Sequence, residues 1–346
     1  MRERLHPLDA SFLYLEDAAG PAHVASLGVL EGPVGYEELC RLVERRLTLA
    51  PRYRQRIKPV PGGLAQPVWA DDASFDVTYH VRRSELPRPG SPEQLHELVA
   101  WICARQLDRR RPLWEMCLID GLADGRTALL TKTHGAMLDG VAPDLTQVIY
   151  DNGPRPRRVK AEQWRPHPEP PDVTLVADAL GELARRPSQL VGALGRTLLD
   201  ASKALSTVAG AATEMLEAGR TAARPAPPSP LNHEIGEQRR YSTVSTCLDD
   251  YRRVRKAYDV SVTDVVLATV AGALRGWLMM RGELVTRSSV LRAMAPLSVR
   301  EGLDQDAVGA GAVRVSPVLV DLPVGEPNPT VRLHQISYAL HAPRQA

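Results

Sequence analysis

Cysteine is scarce and scattered: the 346 residues hold only Cys40, Cys103, Cys117 and Cys247, with no C-x-x-C spacing. Such a pattern signals neither a zinc site nor a disulfide framework, and the four are expected to be reduced core thiols. None of the nine histidines pairs with another ligand at a recognised spacing, so no bound metal is expected. A surplus of one charge is lacking too. The 43 basic and 41 acidic residues leave a net charge of +2, which gives no electrostatic reason for a nucleic-acid partner. Long hydrophobic runs are also missing. Near the N-terminus the apolar runs are broken by Asp9, Glu16 and Asp17, so no signal-peptide core forms. The stretch from Val265 to Met280 is interrupted by Arg275 and falls short of the roughly 20 residues of a spanning helix. A cytoplasmic chain is the expectation, with peripheral membrane attachment left open.

What is present is ordinary globular material, 44% hydrophobic and 24% charged, enough for two domains. Helical spacing runs from Tyr36 to Leu49 and from Pro92 to Gln106, and strand-like segments run from Phe75 to Val81, Trp114 to Ile119 and Thr127 to Thr133. The first part of the chain therefore reads as mixed α and β. After Tyr150 prolines accumulate, and Val173 to Ala218 reads as helix broken at Pro187, with a stripe through Val176, Leu180 and Leu183. A second linker runs from Arg224 to Pro230. Beyond it, a strand is expected at Tyr241 to Leu248, a short helix at Tyr251 to Tyr258, and a well-buried helix at Val262 to Arg281. Ser261-Val262-Thr263-Asp264 has the capping-box arrangement that satisfies orphan N–H groups at a helix start. Strands at Ser289 to Pro296 and Arg314 to Leu322 follow, then a helical pattern from Val331 to His341. The boundaries read as 1–150, a crossing over 151–230, and 231–346.

The segment with most chemical content is Lys132-Thr133-His134-Gly135-Ala136-Met137-Leu138-Asp139-Gly140, which follows a strand and ends in a turn-forming Asp-Gly pair. It resembles the HHxxxDG motif of the bacterial wax ester synthase/diacylglycerol acyltransferase family. The opening Leu5-His6-Pro7-Leu8-Asp9-Ala10-Ser11-Phe12-Leu13-Tyr14 is similar to that family's N-terminal signature, and Pro112-Leu113-Trp114 to its PLW element. Thr263-Asp264 stands where the family usually has Asn-Asp, and Leu291 to Arg300 and Val315 to Pro323 continue the run.

The resemblance implies an α/β fold of the α+β type, with two mixed domains like those of chloramphenicol acetyltransferase, the second incomplete here. It implies transfer of a fatty acyl group from acyl-CoA, as co-substrate, to diacylglycerol or a long-chain alcohol, without a permanently bound cofactor. Contact with lipid droplets or a membrane surface fits those substrates, and a separate chain could supply the missing C-terminal part.

An alcohol is a poor nucleophile until a base of near-neutral pKa takes its proton, and the motif's second histidine is implied to do so. Alignment on Asp139 and Gly140 puts His134 on the first histidine and Gly135 on the second, so the base position has no side chain. Asp139 is implied to shape the loop. Adjacent strand residues point to opposite faces, so His134 should face away from Gly135. Pro112, Leu113 and Trp114 are read as packing beside the site. Arg109-Arg110-Arg111 could meet coenzyme A phosphates, although a solvated face is the commoner explanation of such runs. Impaired transfer is expected; the rivals are a non-catalytic acyl-CoA or lipid binder and a truncated gene product.

Overall fold

The computed structural model describes residues 3–17, 19–137, 164–185, 227–299 and 314–341. Two compact units divide the chain: Ile235–Ser242 joins the N-terminal part in the first, and Thr243 onward, with the C-terminal residues, supplies most of the second.

The first unit begins with α1 (Pro7–Leu15), β1 (His23–Leu30) and α2 (Tyr36–Arg46), whose helical pattern runs into a tighter turn at Leu47–Leu49. The strands β2 (Gln55–Lys58) and β3 (Val68–Asp71) pair with each other. A strand was expected to begin at Phe75, but the Asp76 carboxylate accepts the Thr78 N–H and starts a helical turn, α3 (Val77–His80). The strand, β4 (Val81–Glu85), begins only after it. Helix α4 (Pro92–Ala104) opens with a capping box between Ser91 and Gln94. It is followed by β5 (Trp114–Asp120) and β6 (Thr127–His134).

These strands form a sheet in the order β1-β6-β5-β4, antiparallel except for the β4–β5 pair. β6 is central and buried along its whole length. Its alternate residues divide between two cores. Leu129 packs with Trp114, Met116, Leu118 and residues of α1 and α2, whereas Ala128 and Leu130 pack with Leu95, Val99 and Ile102 of α4.

Lys132 shares the α4 face and is almost fully buried. Its ammonium donates to the Ile102 carbonyl at 2.9 Å, to the Arg105 carbonyl, and to Glu115 at 2.9 Å. Three donors meet three acceptors at the negative end of a helix, which is how a buried lysine is tolerated.

Part of the Pro-rich segment also belongs to the first unit. His167 engages Asp71, Glu169 pairs with Arg56 and Lys58, and Lys58 also reaches Asp172 at 2.8 Å. This fastens α5 (Asp172–Arg185) beside β2 and β3, with Leu175 and Ala179 buried against Val60 and Val68. The buried stripe is offset from the expected one: Leu180 is exposed, because the salt bridges set the helix's rotation. Residues 186–218 of the expected helix lie outside the described residues.

The expected strand at Tyr241 to Leu248, which starts in the first unit and runs into the second, is absent. Residues 241–247 form neither strand nor helix, and β-branched residues alone do not make a sheet. Cys247 is exposed there, contrary to the expectation of four core thiols, while Cys40 and Cys117 are buried. Helix α6 (Leu248–Tyr258) and α7 (Val262–Met280) follow. Strands β7 (Leu291–Val299) and β8 (Arg314–Leu322) form a two-stranded sheet, and α8 (Pro329–His341) packs on α7.

By length and composition α7 could cross a membrane, yet Val265, Ala268, Ala271 and Leu278 are buried in this unit's core. Its burial is one-sided rather than complete, for Val266, Val270 and Met280 are exposed. Gly272 matters here: a Cβ would lie 2.6 Å from the Arg332 guanidinium, which occupies that gap and donates to the Ala268 and Glu326 carbonyls.

Replacing Lys132 by Met should remove three charge-assisted bonds and strand the α4 carbonyls. We expect a loss of roughly 3 kcal/mol in chemical denaturation; an unchanged midpoint would refute the assignment.

Candidate active site

The strand–turn at the end of β6 brings together most of the first-unit residues singled out in the sequence. The His134 N–H donates to the Leu113 carbonyl at 3.0 Å, and Trp114 lies opposite Thr133 in the β5–β6 ladder. The Pro112-Leu113-Trp114 element is therefore fixed directly beside the start of the motif. Leu113 and Trp114 are buried. The Trp114 indole donates to the Tyr53 carbonyl at 2.8 Å, its ring stacks on His80 with centroids 4.6 Å apart, and Tyr53 meets it edge-on. Every polar atom of the indole is thus spent on packing, which suits a wall residue rather than a reacting one.

The His134 ring is wholly buried. Its Nδ1 accepts the Ala136 N–H at 3.0 Å, which leaves Nε2 to carry the proton of the neutral ring. Nε2 lies 3.5 Å from Oε2 of Glu16, beyond an ordinary hydrogen bond, and has no closer partner among the described residues. Burial lowers the His134 pKa below the usual imidazole range, against the opposing pull of Glu16. His134 is consequently neutral at pH 7 and turned inward.

Glu16 lies just beyond α1, with its side chain only 1% exposed. Oε1 accepts the Ala22 N–H at 3.1 Å, and Oε2 accepts from Arg109 at 2.7 and 3.2 Å. Burial opposes its charge, but Arg109, Ala22 and His134 together hold the carboxyl below its usual range. Neither Glu16 nor Ala22 was picked out from the sequence, since a single acid after a helix carries no pattern. Arg109 was noted only within a basic run. Each member of that run has a local partner: Arg110 engages Asp108, and Arg111 reaches the Ser74 carbonyl and lies 3.7 Å from Asp72.

Gly135 donates its N–H to the Ala22 carbonyl at 2.7 Å. A Cβ at this position would stand 3.0 Å from two ring carbons of Phe12 on α1 and 3.3 Å from the Ala22 carbonyl oxygen. The space that a side chain would leave by is thus lined closely by an aromatic ring. Asp139 and Gly140 lie outside the described residues. Thr263 and Asp264 belong to the second unit, at the start of α7. There Asp264 and Ser261 exchange capping-box bonds at 2.8 and 3.1 Å. The second carboxylate oxygen of Asp264 is buried without a partner among the described residues. No cluster of three metal-ligating side chains occurs among the described residues.

Residues 5–266 match the wax ester synthase/diacylglycerol acyltransferase catalytic domain. The chain belongs to this acyltransferase family. It is 44% identical over 268 residues to a probable diacylglycerol O-acyltransferase, tgs3, of Mycobacterium tuberculosis, a match covering 76% of this chain and 99% of that protein. Tgs2 of the same organism is 37% identical over 345 residues, covering 96% of this chain and 72% of its own. Among solved structures, the wax ester synthase/diacylglycerol acyltransferase of Marinobacter aquaeolei VT8 superposes with a TM-score of 0.58 at 27% identity, over 99% of this chain and 72% of that one. A condensation domain of the calcium-dependent antibiotic synthetase gives 0.55 at 14% identity, covering 100% and 75%. That second likeness shows the fold alone, and the mixed α/β class expected from the sequence agrees with both.

The buried His134 and partly buried His23 imidazoles of this acyltransferase-family chain make its stability depend on pH. His23, opposite His134 in the β1–β6 ladder, has its pKa lowered to about 4, chiefly by burial and then by the Lys132 charge. Below pH 6.5 the unfolded chain binds a proton that the folded chain refuses until about pH 4. The stabilisation is therefore complete above pH 6.5 and is lost as pH falls toward 4. His23 is only partly buried, so solvent screening reduces its contribution; His134 acts in the same direction. Urea midpoints at pH 7 and pH 4.5 should differ accordingly, and less so in His23→Asn; a flat profile would contradict the neutral assignment.

Proposed function

We propose that this chain binds acyl-CoA together with a neutral-lipid acceptor, diacylglycerol or a long-chain alcohol, and that it transfers the acyl group only slowly. In the reaction, the acceptor oxygen bonds to the thioester carbonyl carbon, the carbon–sulfur bond breaks, and the hydroxyl proton ends on the departing sulfur to give free coenzyme A thiol. A base normally takes that proton during attack and returns it to the sulfur. In the family resemblance that role falls to the position of Gly135, which has no side chain to accept a proton. His134 does not replace it, because both ring nitrogens are directed into the protein and burial disfavours its protonated form.

The observation that carries this reading is Gly135 closed against Phe12. The loss of general-base catalysis is worth roughly 10²–10⁴-fold and leaves positioning as the remaining contribution. A non-catalytic acyl-CoA or lipid binder is the second reading, favoured by that same glycine. Access to water-insoluble acceptors also favours work at a membrane or droplet surface, with the protein on the cytoplasmic side.

The test is acyl transfer from long-chain acyl-CoA to diacylglycerol and to hexadecanol. We expect weak turnover in the native chain, and a gain on the order of 10²-fold or more in Phe12→Ala/Gly135→His, where the ring has been trimmed to admit the imidazole. His134→Ala should lower stability without abolishing whatever transfer the native chain shows. Full native activity that vanishes in His134→Ala would overturn the proposal and make His134 the base. Acyl-CoA binding without transfer in any variant would favour the binder.

A further inference from the structure

We infer that Glu16, locked by Arg109, is the positioning residue for the first two residues of the motif. Two separate routes run from its carboxylate to them. Oε1 takes the Ala22 N–H, while the Ala22 carbonyl takes the Gly135 N–H at 2.7 Å, so Glu16 fixes the backbone on which Gly135 hangs. Oε2 lies 3.5 Å from Nε2 of His134, an electrostatic contact longer than a hydrogen bond, and the ring's other nitrogen accepts the Ala136 N–H, so the same carboxylate biases the orientation of the ring that holds the next peptide. A buried carboxylate with one edge on each route acts as a single peg for residues 134–136. Arg109 keeps it ionised by donating twice to Oε2. Around the His134 ring the charged and titratable groups are Glu16 beyond α1, Arg109 before β5, His23 on β1 and Lys132 on β6.

The inference rests on the proposed reading only in taking this turn as the place of acyl transfer; its decisive measurement needs no turnover. Amide hydrogen exchange and the ¹⁵N spectrum of the His134 ring would be compared in the native chain, Glu16→Ala and Glu16→Gln. In Glu16→Ala the Gly135 and Ala136 amides should exchange at least about tenfold faster, with Leu129 and Leu130 in β6 unchanged. In Glu16→Gln the amide oxygen still serves Ala22 but the NH₂ faces other donors. Gly135 should then stay protected while Ala136 opens and the His134 ring signal loses its fixed Nε2–H pattern. Equal protection of both amides in all three proteins would overturn the inference. If Glu16→Ala loses protection throughout β6, the split between Gly135 and Ala136 in Glu16→Gln decides, and no split refutes it. In the Phe12→Ala/Gly135→His background, Glu16→Gln should lower kcat more than it raises KM. An inactive background with the exchange pattern intact would count against the functional reading alone.

Discussion

The two-residue period of β6 is the constraint on which the site depends. Because the strand is buried on both sides, it must meet an apolar core with each face, and the α4 face ends in a polar cluster. Lys132 and His134 fall on the α4 side, where helix carbonyls and Glu16 await them; Gly135, next along, turns toward Phe12. A slip of one residue would press the lysine into the core around Trp114 and the imidazole into the ring of Phe12. Register therefore decides which core or cluster each residue of the motif faces.

Several charged groups buried among the described residues are tolerated by local matching. Lys132 has three acceptors, Glu16 has Ala22 and Arg109, and Arg332 in the second unit fills the gap left by Gly272 and reaches two carbonyls. Buried ions gain little net stability from such pairing, but removing one partner is costly. Their effect is to fix geometry. Around the motif, that means a neutral histidine with one nitrogen defined by a peptide N–H, a state suited to holding a turn.

The capping box at Ser261 was legible because its chemistry is local, spanning four residues, and Trp114 to Ile119 and Thr127 to Thr133 were legible because apolar and β-branched runs bounded by turns have few alternatives. The segment at Phe75 was misread because one aspartate's capping bond outweighed β propensity over the next few residues. The stretch at Tyr241 was misread for the opposite reason: its residues favour a strand, but strands need partners and propensity does not supply one. The stripe of α5 was offset by one residue because salt bridges to β2, rather than the helix's own apolar pattern, set its orientation.

The motif's residues, the glycine at position 135 and the family were all written in the sequence, since each is a matter of residue identity at a fixed spacing. The sequence could also place His134 and Gly135 on opposite faces of one strand, because alternation is a property of the extended backbone itself. That the His134 ring faces Glu16, that Phe12 closes over Gly135, and that Ala22 links Glu16 to the same turn were decided only by tertiary structure. The contacts of Glu16 with His134, Phe12 with Gly135 and Ala22 with Gly135 join residues more than a hundred positions apart, and no local periodicity carries information across that distance.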